Sequence, residues 1–328
     1  MSYGGYTFNK VQLGREATAG TAVSATTVWR GQMAMIEDAR TVKVIEEQVG
    51  LQVPTERSYV SALLARLNLP ATELTFEQIC HVFEAGIGTV TPTGAGPYLR
   101  HYAFPTGTTP NTLKTYTLEA GNVLVPTDNQ RMEYGYVEEF SIEGKPGEAW
   151  MLSSNWVGRQ LTQHNLTSSL ALPTVEAALV PKTKLYIDAT GGTVGTTQKQ
   201  GVFMGGKFRV RTGVVYIPVG DGNLYFYGIK QVPPEINFSI TFELESASVV
   251  AQERAFMQAQ TVRLFNIDIA GSDTNHELDL SWAGKYDKIG GYENANGNTV
   301  VTFDGHAVFS SADSLYFTAD VTNNSASL

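Results

Sequence analysis

The residues that could carry out chemistry are few and widely spaced in this sequence. No His-Glu-x-x-His pair places two imidazoles on one helical face to hold zinc. Residues 191–195 are glycine-rich but lack the lysine of a phosphate-binding loop, so they predict a turn. Residues 273–277 place oxygen side chains two apart but lack the glycine and distal glutamate of a calcium loop, and they predict a polar turn. The histidines are His81, His101, His164, His276 and His306.

Nucleophilic and acid–base catalysis are not indicated either. Cys80 precedes His81, but neighbouring residues of a helix point to different faces, so the two cannot act as nucleophile and base. Cys80 is therefore predicted to be a small core residue. Adjacent acidic residues such as Glu138 and Glu139 are typical of solvated faces. The sequence predicts no enzyme, no cofactor and no metal site.

Composition limits the classes of protein further. The chain has 328 residues, of which 42% are hydrophobic and 17% charged, which predicts a globular protein of about two domains. A net charge of −9 argues against a protein that wraps nucleic acid. The opening residues lack the features of a signal peptide, and no apolar run reaches the ~18 residues of a membrane span. We therefore expect a soluble protein that folds in the cytoplasm.

Alternation with period two dominates the chain and predicts a mainly β fold with two helices. The first helix is predicted over residues 75–85, where Thr75 and Gln78 form a capping pair. The second is predicted over residues 248–260, with Glu253 on its polar side.

The order strand–helix–strand–strand–strand occurs twice, and matched positions are separated by 173 residues; Leu67, for example, corresponds to Ile240. The alternative is a chance self-alignment of a β-rich chain. As a duplication, the pattern predicts two tandem β-sandwich or barrel domains, each with one short flanking α-helix. Their predicted bounds are residues 1–165 and residues 166–328.

The second half contains an additional feature at about residues 202–228. Its aromatic and β-branched runs, at 214–217 and 224–227, flank a glycine-rich turn and predict a β-hairpin. This hairpin is either part of the sheet or an arm that reaches a neighbouring subunit, and both interpretations stay open.

Several predicted strands share one apolar face and one acid-leaning polar face with almost no lysine, Arg66 being the main exception. Any sheet with a solvated side gives such a pattern. The functional interpretation is a wall that does not adhere to a polyanion. The acidic candidates on this face are Glu139, Glu143, Glu243, Glu245 and Asp279.

Four stretches carry a family resemblance. Residues 12–26 contain a Gly-x-Glu-x-x-x-Gly-Thr pattern, residues 139–144 read Glu-Phe-Ser-Ile-Glu-Gly, and residues 278–308 give a strand, a glycine-rich excursion and a strand. With these degenerate motifs, most of the chain resembles the tail tube proteins (major tail proteins) of long-tailed, siphovirus-type bacteriophages. The match includes Trp-Val-Gly-Arg at residues 156–159.

The resemblance implies a virion protein that forms rings of six tube domains, stacked helically into the hollow tail tube. DNA would leave the capsid through this tube without specific binding. Two fused domains per chain imply a trimeric, pseudo-hexameric ring, although the second half lacks the Gly-x-Glu motif, and a hexamer stays open. The implied partners are the tape measure protein and other tail proteins, with no membrane.

In that arrangement the acidic candidates would line the lumen, and two segments would contact stacked rings. These segments are an N-terminal arm, residues 1–26, and the hairpin. The contact candidates are Leu13, Arg15, Glu16, Tyr216, Tyr225 and Tyr227. Two alternatives remain: a carbohydrate-binding or adhesin-type β-sandwich protein that uses the exposed tyrosines, and an injection-tube subunit of a secretion system.

Overall fold

A computed structural model of the chain describes residues 5–245 and 249–328. Strands contain 47% of the residues and helices 8%, which confirms the mainly β class. The strands form where apolar and polar residues alternate, because successive side chains of a strand point to opposite faces.

The strands of the first half are β1 (Asn9–Arg15), β2 (Thr27–Val28), β3 (Glu37–Asp38), β4 (Thr41–Val44), β5 (Ser58–Ala62), β6 (Ala65–Glu73), β7 (Tyr98–Ala103), β8 (Tyr116–Asn122), β9 (Gln130–Gly144), β10 (Met151–Gly158) and β11 (Leu161–Gln163). Those of the second half are β12 (Thr183–Ala189), β13 (Phe203–Arg211), β14 (Val214–Ile217), β15 (Gly228–Gln231), β16 (Glu235–Glu243), β17 (Arg263–Ala270), β18 (Glu277–Ile289), β19 (Glu293–Ala295), β20 (Asn298–Ala307) and β21 (Phe317–Asn323). The helices are α1 (Ile79–Gly86) and α2 (Val249–Gln258).

The strands of the two repeated units pair in the same order. In the first unit β6 pairs with β10, β10 with β9 and β9 with β8, all antiparallel. In the second unit β16 pairs with β20, β20 with β18 and β18 with β17, again antiparallel. A short helix follows the first strand of each unit. Both units therefore have one pairing scheme.

The two halves are joined through their backbones. Strand β13 pairs with β9 on one edge and with β16 on the other, and β7 pairs with β21. One apolar cluster includes residues of both halves, with the rings of Phe104 and Phe317 in contact across them at 5.9 Å. The core therefore continues across residue 165, the predicted boundary between the domains. The division of the chain into two domains stays a prediction.

The first helix begins later than predicted. Thr75 does accept a hydrogen bond from the backbone N–H of Gln78 at 3.3 Å, as the capping pair predicts. The residues between them form a turn, and α1 itself starts at Ile79. Every residue of α1 is buried, including Cys80, which is consistent with its predicted place in the core.

The second helix differs from prediction at one polar position. Its predicted first residue, Ser248, lies outside the described residues, and α2 begins at Val249. Glu253 is fully buried, and its carboxylate contacts the Lys199 ammonium at 3.4 Å and the Arg263 guanidinium at 3.2 Å. The prediction placed Glu253 off the apolar side of the helix; its burial is compensated by two cations, of which Lys199 is distant in sequence.

The N-terminal segment is not a free arm. Strand β1 pairs with β8 along its whole length, from Asn9 opposite Asn122 to Arg15 opposite Tyr116. The prediction of an arm over residues 1–26 is wrong for this strand, because its alternating side chains complete the core.

The predicted hairpin exists with a different second strand. Strand β14 pairs with β15, which begins at Gly228, so residues 224–227 belong to the connecting loop. Phe226 of this loop is buried against Tyr134, with ring centroids 5.1 Å apart. The loop therefore folds back onto the body of the subunit.

We expect that removing residues 1–26 prevents folding. The deletion removes β1 with Val11 and Leu13, whose burial contributes about 3–6 kcal/mol together, a large part of a typical stability of about 5–15 kcal/mol. Circular dichroism and gel filtration of the truncated chain test this. Removing residues 1–8 alone is the control and leaves a folded protein. A folded monomer without residues 1–26 would contradict the role of β1 in the core.

Candidate functional site

The polar face of the central sheet carries acids and bases in register. Strand β13 places Lys207 opposite Glu143 of β9. It also places Arg211 opposite Glu139 of β9 and Glu235 of β16. Since directly opposite residues lie on the same face, the side chains of the three strands meet there.

Ion pairs join these side chains, three acids and three bases. The predicted acid-leaning, lysine-poor face is wrong here, because the basic residues belong to β13, which lies in the segment predicted as a hairpin. The pKa of Glu235 is lowered by a hydrogen bond from Asn237 and by Arg211. The ion pairs are Lys207–Glu143 at 2.9 Å, Arg209–Glu139 at 2.9 Å, Arg211–Glu139 at 3.2 Å and Arg211–Glu235 at 3.2 Å.

The remaining acidic candidates lie apart from this row. Glu243 is the last residue of β16, and Glu245 follows the strand; both are half-buried. Asp279 lies on β18, opposite Asp268 of β17 and Asp320 of β21. Burial is the main cause that raises the pKa of Asp279. The structure therefore does not bring the five candidates together.

The glutamate of the Gly-x-Glu motif is a buried structural residue. The carboxylate of Glu16 accepts the backbone N–H of Gly20 at 2.7 Å and that of Tyr134 at 2.9 Å. It also accepts the hydroxyls of Thr115 at 2.7 Å and Thr117 at 3.0 Å. Four donors from three chain segments thus converge on one carboxylate, which fixes the loop after β1 to the sheet.

The neighbouring candidates are structural as well. Leu13 is fully buried, so neither it nor Glu16 is available to a stacked ring. Arg15 is partly exposed but pairs with buried Glu84 at 2.9 Å, and the Tyr116 hydroxyl donates to the same carboxylate at 3.1 Å. The prediction of ring contacts through Leu13 and Glu16 is wrong because their segment is a core strand.

The most exposed apolar segment lies where the sequence predicted nothing. Strands β4 and β5 form a separate two-stranded hairpin, which we call the arm (residues 39–64). At its tip Val49, Leu51 and Val53 each expose more than half of their surface. The signal was the alternating valines on either side of Gly50, which adopts a positive φ of 77° at the turn.

The three candidate tyrosines do come together, at residues 216–227. Tyr216 and Tyr227 are exposed, whereas the Tyr225 ring lies under the Arg159 guanidinium at 5.0 Å. The guanidinium also donates to the Phe226 carbonyl at 3.1 Å and to that of Tyr227 at 2.6 Å. Arg159 thereby holds the loop in place.

The arm and this loop form one continuous surface. The backbone N–H of Leu63, at the base of the arm, donates to the carbonyl of Leu224 in the loop at 2.9 Å. We call residues 39–64 and 216–227 the arm–loop surface. It presents valine, leucine and tyrosine side chains to solvent.

A wide cleft of the subunit offers mostly apolar contact. It has a volume of about 1010 Å³ and is lined by residues such as Pro110, Ile229, Val232 and Phe309. Among its described lining residues, Lys230 is the only charged one, and none is a carboxylate, imidazole or thiol. Its other titratable lining groups are the phenols of Tyr134 and Tyr316.

Neither helix among the described residues has the length and apolar character to cross a membrane. Comparison with protein-family models and with curated proteins finds no match to this chain. The resemblance to tail tube proteins therefore stays a prediction.

Replacing Glu16 by Gln is expected to lower the free energy of unfolding by about 2–4 kcal/mol, since an amide nitrogen would face buried donors. Urea unfolding followed by tryptophan fluorescence measures the change. Exposed Glu37→Gln is the control and changes stability by less than about 0.5 kcal/mol. Equal stability of both variants would contradict the role of the Glu16 network.

Replacing Glu139 by Gln is expected to lower the free energy of unfolding by about 0.5–1 kcal/mol, because two guanidinium groups lose one carboxylate. The difference should shrink in about 1 M NaCl, which screens exposed charges. Urea titrations at low and high salt test this, with exposed Glu293→Gln of β19 as the control. A loss that does not depend on salt would show that the ion pairs are not its cause.

Proposed function

We propose that this chain is a structural subunit that assembles into the stacked rings of a hollow tube, the tail tube of a long-tailed phage. The arm is the observation that carries the proposal. Its apolar tip residues Val49, Leu51 and Val53 each stay more than half exposed in the single subunit.

An isolated two-stranded hairpin is marginally stable in water, and exposed apolar surface of this kind marks an interaction site. A second copy of the chain is the proposed partner. The arm of one subunit would bind a different surface of the next, and such head-to-tail contacts generate rings or filaments.

The repeated pairing scheme supports a ring with pseudo-sixfold symmetry. Each chain supplies two units with the same strand order, and β13 already joins them edge to edge. Three chains would then supply six units. The same edge-to-edge pairing would join one chain to the next, because an unpaired strand edge is a ready site for another strand.

The polar face of the sheet is the proposed lining of the lumen. The row of Glu139, Glu143 and Glu235 with Lys207, Arg209 and Arg211 has no net charge, and its cations are engaged with carboxylates. Phosphates would meet no free basic patch there, which permits DNA to pass without specific binding. The tape measure protein and other tail proteins are the further proposed partners, in the virion tail.

Replacing residues 41–62 by a short glycine–serine linker is expected to leave a folded subunit that does not assemble. Negative-stain micrographs and light scattering of concentrated protein test this, with the full chain as the control. Rings or tubes are expected from the full chain and not from the variant. A full chain that stays monomeric and binds glycans would favour the carbohydrate-binding alternative.

Thiol labelling tests the arm contact directly. Cys80 is buried and its burial raises the pKa of its thiol to about 12, so it does not compete with an introduced cysteine. In Leu51→Cys, assembly is expected to protect the arm tip from a maleimide by at least about tenfold. Leu172→Cys, at another exposed leucine, is the control. Unchanged labelling of Leu51→Cys in assembled tubes would remove the arm from the interface.

A further inference from the structure

A buried histidine lies among carboxylates in the turn between β17 and β18. The side chain of His276 is 9% exposed, and its ring is 5.7 Å from that of Phe76. The carboxylates come from three parts of the chain: Glu77 before α1, Glu176 before β12, and Asp273 of the same turn. The fold thus brings together residues that lie far apart in the sequence.

The imidazole contacts carboxylate oxygens through both ring nitrogens. Nδ1 lies 2.9 Å from Asp273 Oδ1 and 3.2 Å from Glu176 Oε2. Nε2 lies 3.1 Å from Glu77 Oε1. One ligand atom each from Glu176, Asp273 and His276 lie within 4.8 Å of one another.

This arrangement needs a cation. Ionised carboxylates only accept hydrogen bonds, and a neutral imidazole donates from one nitrogen. When the Nε2–H of neutral His276 donates to the Glu77 carboxylate, the Nδ1 lone pair faces the oxygens of Asp273 and Glu176. A metal-binding histidine commonly donates its other N–H to a carboxylate in this way, which fixes its tautomer.

The separations are close to those that a metal ion requires. Ligand atoms about 2.1 Å from a tetrahedral Zn²⁺ lie about 3.4 Å apart. Nδ1 lies 2.9 Å and 3.2 Å from the two oxygens, and all three ligand atoms lie within 4.8 Å of one another. Shifts of these side chains by about half an ångström would therefore accommodate one ion.

Neutral donors hold the carboxylates in position. The backbone N–H and side-chain amide of Asn275 donate to Asp273 at 2.9 Å and 3.0 Å. The hydroxyl of Ser272 donates to Glu176 at 2.9 Å, and the backbone N–H of Glu176 donates to Glu77 at 2.9 Å.

The nearby backbone is also constrained. Gly271 has no side chain, and a Cβ there would lie 2.4 Å from the Cβ of His276. Lys182 lines the same pocket as His276, but its ammonium donates to the Gly271 carbonyl at 2.7 Å. The three carboxylates thus have no lysine among the contacts that orient them.

We propose that Glu176, Asp273 and His276 bind a divalent transition-metal ion of the zinc type, with Glu77 as the residue that orients the imidazole. The two oxygens and one nitrogen suit this class of ion. The ion would tie the start of α1, the segment between the two units and the β17–β18 turn to one point. The proposal goes beyond tube formation and does not depend on it.

Calorimetry of the full chain, freed of metal by a chelator and titrated with zinc chloride, tests the site. One ion per chain is expected, with a rise in Tm that magnesium chloride does not reproduce. Asp273→Asn and His276→Ala are expected to weaken binding at least about 100-fold. Glu77→Gln is expected to weaken it by about 10–100-fold, as for other residues that orient a ligand.

A surface histidine supplies the matched control. His306 lies 2.8 Å from Asp287 on the sheet surface, and His306→Ala should leave zinc binding unchanged. Circular dichroism shows whether each variant folds. If His276→Ala does not fold, the Asp273→Asn variant still tests the site, because Asp273 is partly exposed. Absence of zinc binding by the wild type, or binding that survives both Asp273→Asn and Glu176→Gln, would overturn the proposal.

A second outcome concerns stability. A Tm that does not respond to zinc would show that no metal ion fills the cluster. That result would also overturn the metal site. Loss of tube assembly with intact zinc binding would instead bear on the proposed function alone.

Discussion

The double pairing of β13 is the interaction on which the architecture depends. This strand forms a ladder with the first unit on one edge and with the second unit on the other. Phe208 and Val210 point into the core, while Lys207, Arg209 and Arg211 pair with carboxylates on the opposite face. A shift of one residue would bring the cations into the core, so burial and charge fix the same register.

A second constraint connects the core to the arm–loop surface through Tyr134. This residue has a φ of 58°, a backbone conformation that is uncommon for residues other than glycine. Its backbone N–H donates to Glu16, and its ring lies 4.4 Å from the Arg159 guanidinium and 5.1 Å from Phe226. The buried carboxylate therefore positions the segment against which the tyrosine loop packs.

The sequence was sufficient to predict the fold class, because alternation with period two directly indicates strands. It was also sufficient to predict the approximate positions of both helices. It did not reveal that the basic strand β13 pairs with β9 and β16, because strand partners are known only from the fold. The alternating valines around Gly50 could have indicated the arm, but alternation alone does not show that its strands lie outside the core. The histidine site was also missed, since Glu77 and Glu176 lie about 200 and 100 residues before His276 in the chain. Local patterns cannot report such contacts.

The pairing of β7 with β21 also determines when the first half is complete. Strand Tyr98–Ala103 has its partner at Phe317–Asn323, about 200 residues later in the chain. Likewise, the edge of β9 opposite Glu139–Gly144 is covered only by residues 206–211. During synthesis the first half therefore exposes unpaired strand edges until the residues of β21 leave the ribosome. Such long-range pairing slows folding and leaves nascent chains prone to aggregation.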